Sequence, residues 1–469
     1  MRNAKIICTI GPACDDEKML SELITAGMNI ARLNFSHGSH EEHLTRIKRI
    51  RKLSEKLNAP IAILQDLQGP KIRIGTFASS PIHLKQGDLF TITTKEIEGN
   101  EHIVSTSYKK LPSDVKVGDT ILVNDGLIKL SVKERSSDSV FCEVVNGGGL
   151  YDRRGINMPG VKISEPSLTD KDKKDLEFGL KNGIDYVALS FVRDAESIKS
   201  IKSFMGASSV PVVAKLEKPE ALENLDSIIE LADVIMVARG DLGVEISSAR
   251  VPVVQKQIIE ACLLAGKPVI TATQMLDSMM VNPVPTRAET SDVANAIFDG
   301  SDAVMLSGET AFGKYPLESV QLMDAIVKEA EKQRKYFRIN RAAQEIEGVA
   351  DFAESICYAA CYASKEIEAD YIVVLTESGR TARLMSNFRP EVPIMALTDN
   401  QKVYRQLSLY WGVTPNLIHK KIRLNDDLAE LIGFFKSAKK IKKGDKLVVI
   451  SGSKMTAGAT NMLRLHIAQ

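Results

Sequence analysis

At 469 residues the chain is too long for one hydrophobic core and reads as two to four domains. Hydrophobic residues at 44%, charged residues at 26% and a formal net charge of +1 fit a soluble globular protein and offer no basic surface for nucleic acid or an anionic membrane. No stretch reaches the ~18 apolar residues that would span a bilayer, and the opening Met1-Arg2-Asn3-Ala4-Lys5 lacks the apolar core and cleavage site of a secretory signal.

Short Val- and Ile-rich runs alternate with amphipathic segments of helical length, the pattern of βα units and a parallel sheet. Three runs open the chain: Lys5–Ile10, Asn29–Asn34 and Ile61–Asp66. Residues 71–165 break the rhythm with short alternating runs at Asp88–Thr93, Thr120–Val123 and Val140–Val145. Turn signals such as Asn124-Asp125-Gly126 and Gly147-Gly148-Gly149 separate them. This predicts a small all-β domain inserted after the third strand, well placed to act as a lid. Five more buried-type runs follow: Tyr186–Phe191, Pro211–Leu216, Val234–Ala238, Pro268–Thr273 and Ala303–Leu306. A helix from about Leu317 then runs into a charged stretch, Lys332–Arg341, that reads as a boundary. Beyond it a helix, Phe352–Glu366, and strands Tyr371–Leu375, Ile394–Leu397 and Lys446–Ile450 predict a separate C-terminal α/β domain. The expected division is 1–70 with 166–340, an insert at 71–165, and 341–469.

At or just past the C-terminal end of each of the eight runs stands a polar residue. In order these are Thr9, Arg32 with Asn34, Asp66, Ser190, Lys215 with Glu217, Arg239 with Asp241, Thr273, and Ser307. Eight in register point to a (β/α)₈ barrel, whose strand ends converge on one catalytic face. A doubly wound sheet with ordinary loop polarity is the alternative.

Lys215 and Glu217, two apart on a strand, share a face. With Asp241 from the next strand end, Glu217 offers two carboxylates for a Mg²⁺ that keeps most of its ligands for water and phosphate. Lys215 beside them could neutralise a transferring phosphoryl group, and Arg32 and Arg73 could grip phosphate. A structural ion-pair network at a strand terminus is the competing reading. His37, His40 and His43 drift around a helix and do not make a metal motif; His37 is the one placed to touch a nucleotide, the other two being solvated. Cys8, Cys14, Cys142, Cys262, Cys357 and Cys361 include no Cys-x-x-Cys pair and read as buried free thiols of a reducing cytoplasm. There is no Gly-x-x-x-x-Gly-Lys-Ser/Thr loop, so any nucleotide phosphate is held by another route.

Seven segments carry a family resemblance: Cys8-Thr-Ile-Gly-Pro12, Ala31-Arg-Leu-Asn-Phe-Ser-His-Gly38, Asp66-Leu-Gln-Gly-Pro-Lys-Ile-Arg73, Lys215-Leu-Glu217, Ala238-Arg-Gly-Asp-Leu-Gly243, Thr271-Ala-Thr-Gln-Met-Leu276 and Met305-Leu-Ser-Gly-Glu-Thr310. In order and spacing the series resembles that of the pyruvate kinases, over nearly the whole chain. The resemblance implies a (β/α)₈ barrel with an inserted β-barrel lid and a C-terminal regulatory domain. It also implies phosphoryl transfer from phosphoenolpyruvate to ADP, the last step of glycolysis, in a cytoplasmic homotetramer using Mg²⁺ or Mn²⁺. By the same resemblance Lys215, Arg32 and Thr273 are catalytic, and Arg32, Gly240, Asp241 and Thr273 bind phosphoenolpyruvate. Glu217 and Asp241 hold the metal. Asn34, His37, Arg73 and Arg153 face the nucleotide; Arg153 stands where some members have lysine.

Asn34, Ser36, Asp66 and Leu67 match the monovalent-cation ligands. Lys71, however, stands where K⁺-requiring members have glutamate, which implies activity without K⁺. In the C-terminal region Thr376, Glu377, Ser378, Gly379, Arg380 and Thr381, with the turn Ser451-Gly-Ser-Lys454, match the effector site and imply activation by a phosphorylated metabolite, a sugar monophosphate or AMP. The rivals are another metal-dependent barrel enzyme of enolpyruvate chemistry, which ADP dependence would distinguish, and a non-enzymatic sensor on the same fold.

Overall fold

The computed structural model describes residues 2–208, 210–333, 351–418, 433–435, 440–452 and 460–469. Most of the charged stretch taken as a boundary, and Ser453 and Lys454 of the second C-terminal turn, lie outside these residues. Eight parallel strands close into a barrel: β1 (Lys5–Thr9), β2 (Ile30–Asn34), β3 (Ala62–Asp66), β4 (Tyr186–Val192), β5 (Val212–Leu216), β6 (Val234–Ala238), β7 (Val269–Ala272) and β8 (Ala303–Leu306). Each pairs with its neighbours in sequence, and β8 closes on β1 with Lys5 opposite Ala303.

The two-residue period of the strands sorts the core into two layers. Ile7, Ile30, Leu64, Ala188, Val213, Met236, Ile270 and Met305 face the lumen and pack on one another. Their neighbours, such as Ile6, Ala31, Ile63, Val187, Ala214, Val237 and Val304, face outward against the helices. The helices form for local reasons. The one spanning His40–Lys56 begins with a reciprocal cap between Ser39 and Glu42 and buries Ile47, Ile50 and Leu53 at helical spacing.

After β3 the chain leaves the barrel for the inserted β domain. Its main sheet has six strands, with Thr120–Val123, Ile128–Arg135, Ser139–Asn146 and Leu89–Thr93 adjacent in that order. Alternate residues, among them Phe90, Ile92, Ile121, Leu130, Val132 and Cys142, make its own core. The return segment is held by Arg193, whose guanidinium donates to the Glu165 carbonyl at 2.6 Å.

The C-terminal sheet runs in the order β11-β10-β9-β12-β13, for β9 (Tyr371–Leu375), β10 (Ile394–Thr398), β11 (Val413–Leu417), β12 (Lys446–Gly452) and β13 (Thr460–Ile467). Only the β12–β13 pair is antiparallel. This domain stoppers the N-terminal end of the barrel, where Leu409 joins the lumen core. Asp185, with no exposure, accepts from Arg51 at 2.7 Å and from Arg405 at 2.8 Å, and the Tyr186 hydroxyl donates to the Gln406 carbonyl at 2.6 Å. All six cysteines are buried free thiols. Among the described residues no helix is long and apolar enough to cross a membrane.

Candidate active site

The strand parity that fills the lumen also selects what stands at its C-terminal mouth. Two residues beyond Ile7, Ile30, Leu64, Ala188 and Val213 come Thr9, Arg32, Asp66, Ser190 and Lys215. All face inward and bond to one another. Asp66, 1% exposed, receives Arg32 Nε at 2.7 Å and Lys215 Nζ at 3.1 Å. Arg32 Nη1 donates to the Thr9 hydroxyl at 2.9 Å. Lys215 Nζ donates to Ser190 Oγ at 2.7 Å and lies 3.0 Å from Glu217 Oε1. Burial alone would lower the lysine's pKa, but Asp66 and Glu217 outweigh it and raise it, so Lys215 stays an ammonium. Burial likewise opposes ionisation of Asp66, and the Lys215 and Arg32 charges override it, holding the carboxyl below its usual range.

Glu217 is kept in place by an irregularity. The β4–β5 register shifts between Leu189 and Val192, Phe191 takes a φ of 54°, and its N–H turns to donate to Glu217 Oε2 at 2.8 Å. Gly69 is needed alongside, because a Cβ there would stand 2.9 Å from the Phe191 ring at a φ of +66°. Burial, with Asp241 adding to it, pushes the Glu217 pKa up against the pull of Lys215. A buried carboxylate raised in this way, with the Asp241 carboxylate close enough to add to the effect, fits a divalent cation. Among the described residues no group of three or more His, Cys, Asp or Glu converges, so such an ion would take its remaining ligands from substrate and water.

Asp241 lies in the first turn of a helix, Arg239–Ile246, that starts directly from β6. The Gly240 N–H donates to Thr273 Oγ1 at 2.7 Å, so the ends of β6 and β7 meet. Lys71, on the segment leading into the β domain, brings its Nζ to 4.0 Å from Asp241 Oδ1. Gly240, Asp241, Lys71, Asp125 and Gln274 share a cleft of about 550 Å³ between the barrel mouth and the β domain.

Arg73 Nη1 donates to the Arg153 carbonyl at 3.1 Å; Arg73 is half-buried and Arg153 exposed. Arg153 has a φ of 55°. Asn34 Oδ1 accepts the Ser36 N–H at 3.1 Å. Leu67 is buried, its carbonyl accepting the Ser190 hydroxyl at 2.7 Å. His37 is exposed at the mouth; partial burial and then Arg73, Lys71 and Arg32 lower its pKa, so it is neutral at pH 7. The expectation that His43 is solvated is corrected. It is 1% exposed, stacked on Phe35 with ring centroids 4.0 Å apart, and its Nε2 sits 2.9 Å from the His37 carbonyl. His40 remains exposed but pairs with Asp175 at 2.7 Å.

Three structural features of the site went unread in the sequence. Ser190 and Asp66 together cradle Lys215. Glu309, buried, accepts the Ser307 and Leu276 N–H groups at 2.7 and 3.1 Å and ties β8 to β7. Glu245, on the Asp241 helix, binds Lys218 at 2.6 Å and Asn157 of the β domain at 2.9 Å. The parity rule could have found the first. The other two carboxylates sit on turns and short helices, where no period marks them.

In the C-terminal domain, Thr376–Thr381 form the turn from β9 into the helix Arg380–Asn387. Gly379 there has a φ of 81°, and its N–H donates to Thr376 Oγ1 at 3.0 Å. Thr381 Oγ1 meets Thr460 Oγ1 at 2.6 Å, Arg380 pairs with Asp351, and Ser378 is exposed.

The description "Pyruvate kinase, barrel domain" matches residues 1–320, and "Pyruvate kinase, alpha/beta domain" matches residues 354–466. The chain belongs to the pyruvate kinase family. The pyruvate kinase of Clostridium acetobutylicum is 45% identical, covering 100% of both chains. That of Sporosarcina psychrophila is 43% identical over 100% of this chain and 80% of its own. A solved pyruvate kinase from Cryptosporidium parvum superposes with a TM-score of 0.93 at 37% identity, over 100% of this chain and 96% of that one. The (β/α)₈ barrel, the inserted β lid and the C-terminal α/β domain are therefore those of a pyruvate kinase, a phosphotransferase acting on phosphoenolpyruvate and ADP.

Proposed function

We propose that the barrel mouth performs the transfer with the residues named from the sequence. Supporting this above all is Lys215, whose ammonium is fixed between Asp66, Ser190 and Glu217 within reach of the cleft. Arg32, braced on Asp66 and Thr9, grips the phosphate of phosphoenolpyruvate. The Gly240 and Asp241 backbone with Thr273 receives its carboxylate. Glu217 and Asp241 hold Mg²⁺ or Mn²⁺, which when bound neutralises charge on the phosphate and enol oxygens. Lys215 stabilises the phosphoryl group between donor and acceptor, and placement and charge supply most of the acceleration. Thr273 sits where a proton reaches the enolate carbon. Asn34, His37, Arg73 and Arg153 line the ADP side, and the β domain over the cleft excludes water.

The ammonium of Lys71, 4.0 Å from Asp241, supplies the fixed positive charge that K⁺ would bring to Asn34, Ser36, Asp66 and Leu67, so the enzyme works without K⁺. The division into 1–70 with 166–340, 71–165 and 341–469 is the working one. The chain acts as a cytoplasmic homotetramer, and the Thr376–Thr381 turn binds a phosphorylated activator, a sugar monophosphate or AMP.

The decisive experiment is turnover of phosphoenolpyruvate with and without ADP and K⁺, across a panel of phosphorylated sugars and AMP. Pyruvate formation that ignores ADP would end the kinase reading. Replacing Ser378 and Thr381 by alanine should remove activation while leaving saturated turnover unchanged; surviving activation would place the effector elsewhere.

A further inference from the structure

Strand β7 stops at Ala272, and the chain then takes two residues through left-handed backbone, Thr273 at a φ of 70° and Gln274 at 53°. Neither is glycine, and Thr273 is β-branched, the type least tolerant of that conformation. The kink does two things. It presents the Thr273 hydroxyl to the Gly240 N–H, and it brings the Ala272, Thr273 and Gln274 carbonyls to one side, the first of them also accepting the Thr273 hydroxyl at 2.6 Å. One side chain collects them. Arg239 Nε donates to the Ala272 and Thr273 carbonyls, each at 3.2 Å. Its Nη2 donates to the Thr273 carbonyl at 2.7 Å and the Gln274 carbonyl at 3.2 Å. Its Nη1 is anchored on Asp292 at 2.7 Å.

We infer that Arg239 is a positioning residue for the reaction: it clamps the Thr273–Gln274 kink and so sets the hydroxyl that receives substrate. The guanidinium's donors are all engaged by protein, so Arg239 is a brace and not a substrate ligand. Only a planar fork of donors can hold three neighbouring carbonyls and a carboxylate together. Lysine, with a single nitrogen, cannot. Arg239 immediately precedes Gly240 and Asp241, so one residue ties the carboxylate-binding turn of β6 to the kink of β7. Asp292 lies on a third element, the helix Arg287–Asp299, and with Gln255 holds the Nη1 end of the brace.

This inference rests on the reading of Thr273 as a substrate-binding residue, and the test separates the two. Arg239→Lys, Asp292→Asn, Thr273→Ala and the Arg239→Lys/Thr273→Ala double variant are compared for kcat and for KM of each substrate. Mg²⁺-dependent binding of oxalate, a planar dianion shaped like enolpyruvate, is measured by calorimetry. Arg239→Lys should lower kcat by about 10- to 100-fold and weaken oxalate about tenfold, with KM for ADP unmoved. In the Thr273→Ala background it should cost almost nothing more, because the group it positions is gone. Asp292→Asn, which leaves the arginine in place, should show a smaller loss of the same kind and covers the case in which Arg239→Lys fails to fold. Full additivity in the double variant, or an Arg239→Lys enzyme with normal kcat and oxalate binding, overturns the brace. A Thr273→Ala enzyme with normal kinetics overturns instead the reading it rests on.

Discussion

Replacing Lys215 by methionine removes one charge and keeps the length of the side chain. The ammonium lies 3.1 Å from Asp66, 3.0 Å from Glu217 and 2.7 Å from Ser190. Without it Asp66 retains Arg32, whereas Glu217 retains only the Phe191 N–H. A unit charge acting on a phosphoryl oxygen at about 4 Å, with an effective dielectric constant of ~20, contributes ~4 kcal/mol. Felt mainly in the transition state, that is roughly a thousandfold in kcat. The assay couples pyruvate formation to NADH oxidation by lactate dehydrogenase. A second arm follows exchange of pyruvate methyl protons with D₂O, which needs the carboxylate site and the proton route but no phosphoryl transfer. Lys215→Met should lose the first activity about thousandfold and keep the second within roughly tenfold. Equal loss of both would mean that the lysine serves architecture alone. A kcat within tenfold of the parent would refute the electrostatic reasoning altogether.

Lys5 is buried with its Nζ donating to the Val413 carbonyl at 2.8 Å, and burial, with Arg2 adding to it, pulls its pKa down to about 7. The unfolded chain holds that proton to a pH of roughly 10, so it binds more protons than the folded state between the two values, and stability should rise with pH across that window. Denaturant melts at pH 7.5 and 9 should differ by ~2 kcal/mol from this residue, a rise that Lys5→Met should abolish; parallel curves for the two proteins would contradict it. Asp185 accepts from the Ile63 N–H at 2.7 Å as well as from Arg51 and Arg405. Asp185→Asn should cost ~3–5 kcal/mol in denaturant melts while leaving low-temperature turnover intact. A fall below 1 kcal/mol would show that the two arginines find other partners. Lys71→Glu should make an enzyme stimulated many-fold by KCl, whereas the parent rate should hardly respond; strong stimulation of the parent sinks the assignment.

The barrel was legible because buried parallel strands are continuous apolar runs, and two of the eight, Val234–Ala238 and Ala303–Leu306, have the observed bounds. The others differ by a residue or so at the ends. The same parity carried Lys215, Asp66 and Arg32 to the mouth. Strand β11 escaped notice because Val413–Leu417 carries Pro415 and Asn416 in its interior. Strand β13, Thr460–Ile467, was missed because it is a mostly exposed edge whose mixed polarity gives no buried run. His43 looked solvated beside its polar neighbours, but the ring lies on Phe35 under the mouth, a contact that depends on the β2 turn. The clasp of Arg239 on Thr273 joins residues 34 apart in sequence through the pairing of β6 with β7, which no local pattern encodes.

Leu409 belongs to the lumen packing although it comes from the C-terminal domain. A fragment ending before residue 351 would therefore open the floor of the cylinder, leaving Ile7, Ile30 and Ala303 without their plug and Asp185 with one arginine fewer. The catalytic half is not a free-standing module. Dissecting it from its neighbour removes part of its own interior, and such a fragment should aggregate instead of giving a smaller enzyme.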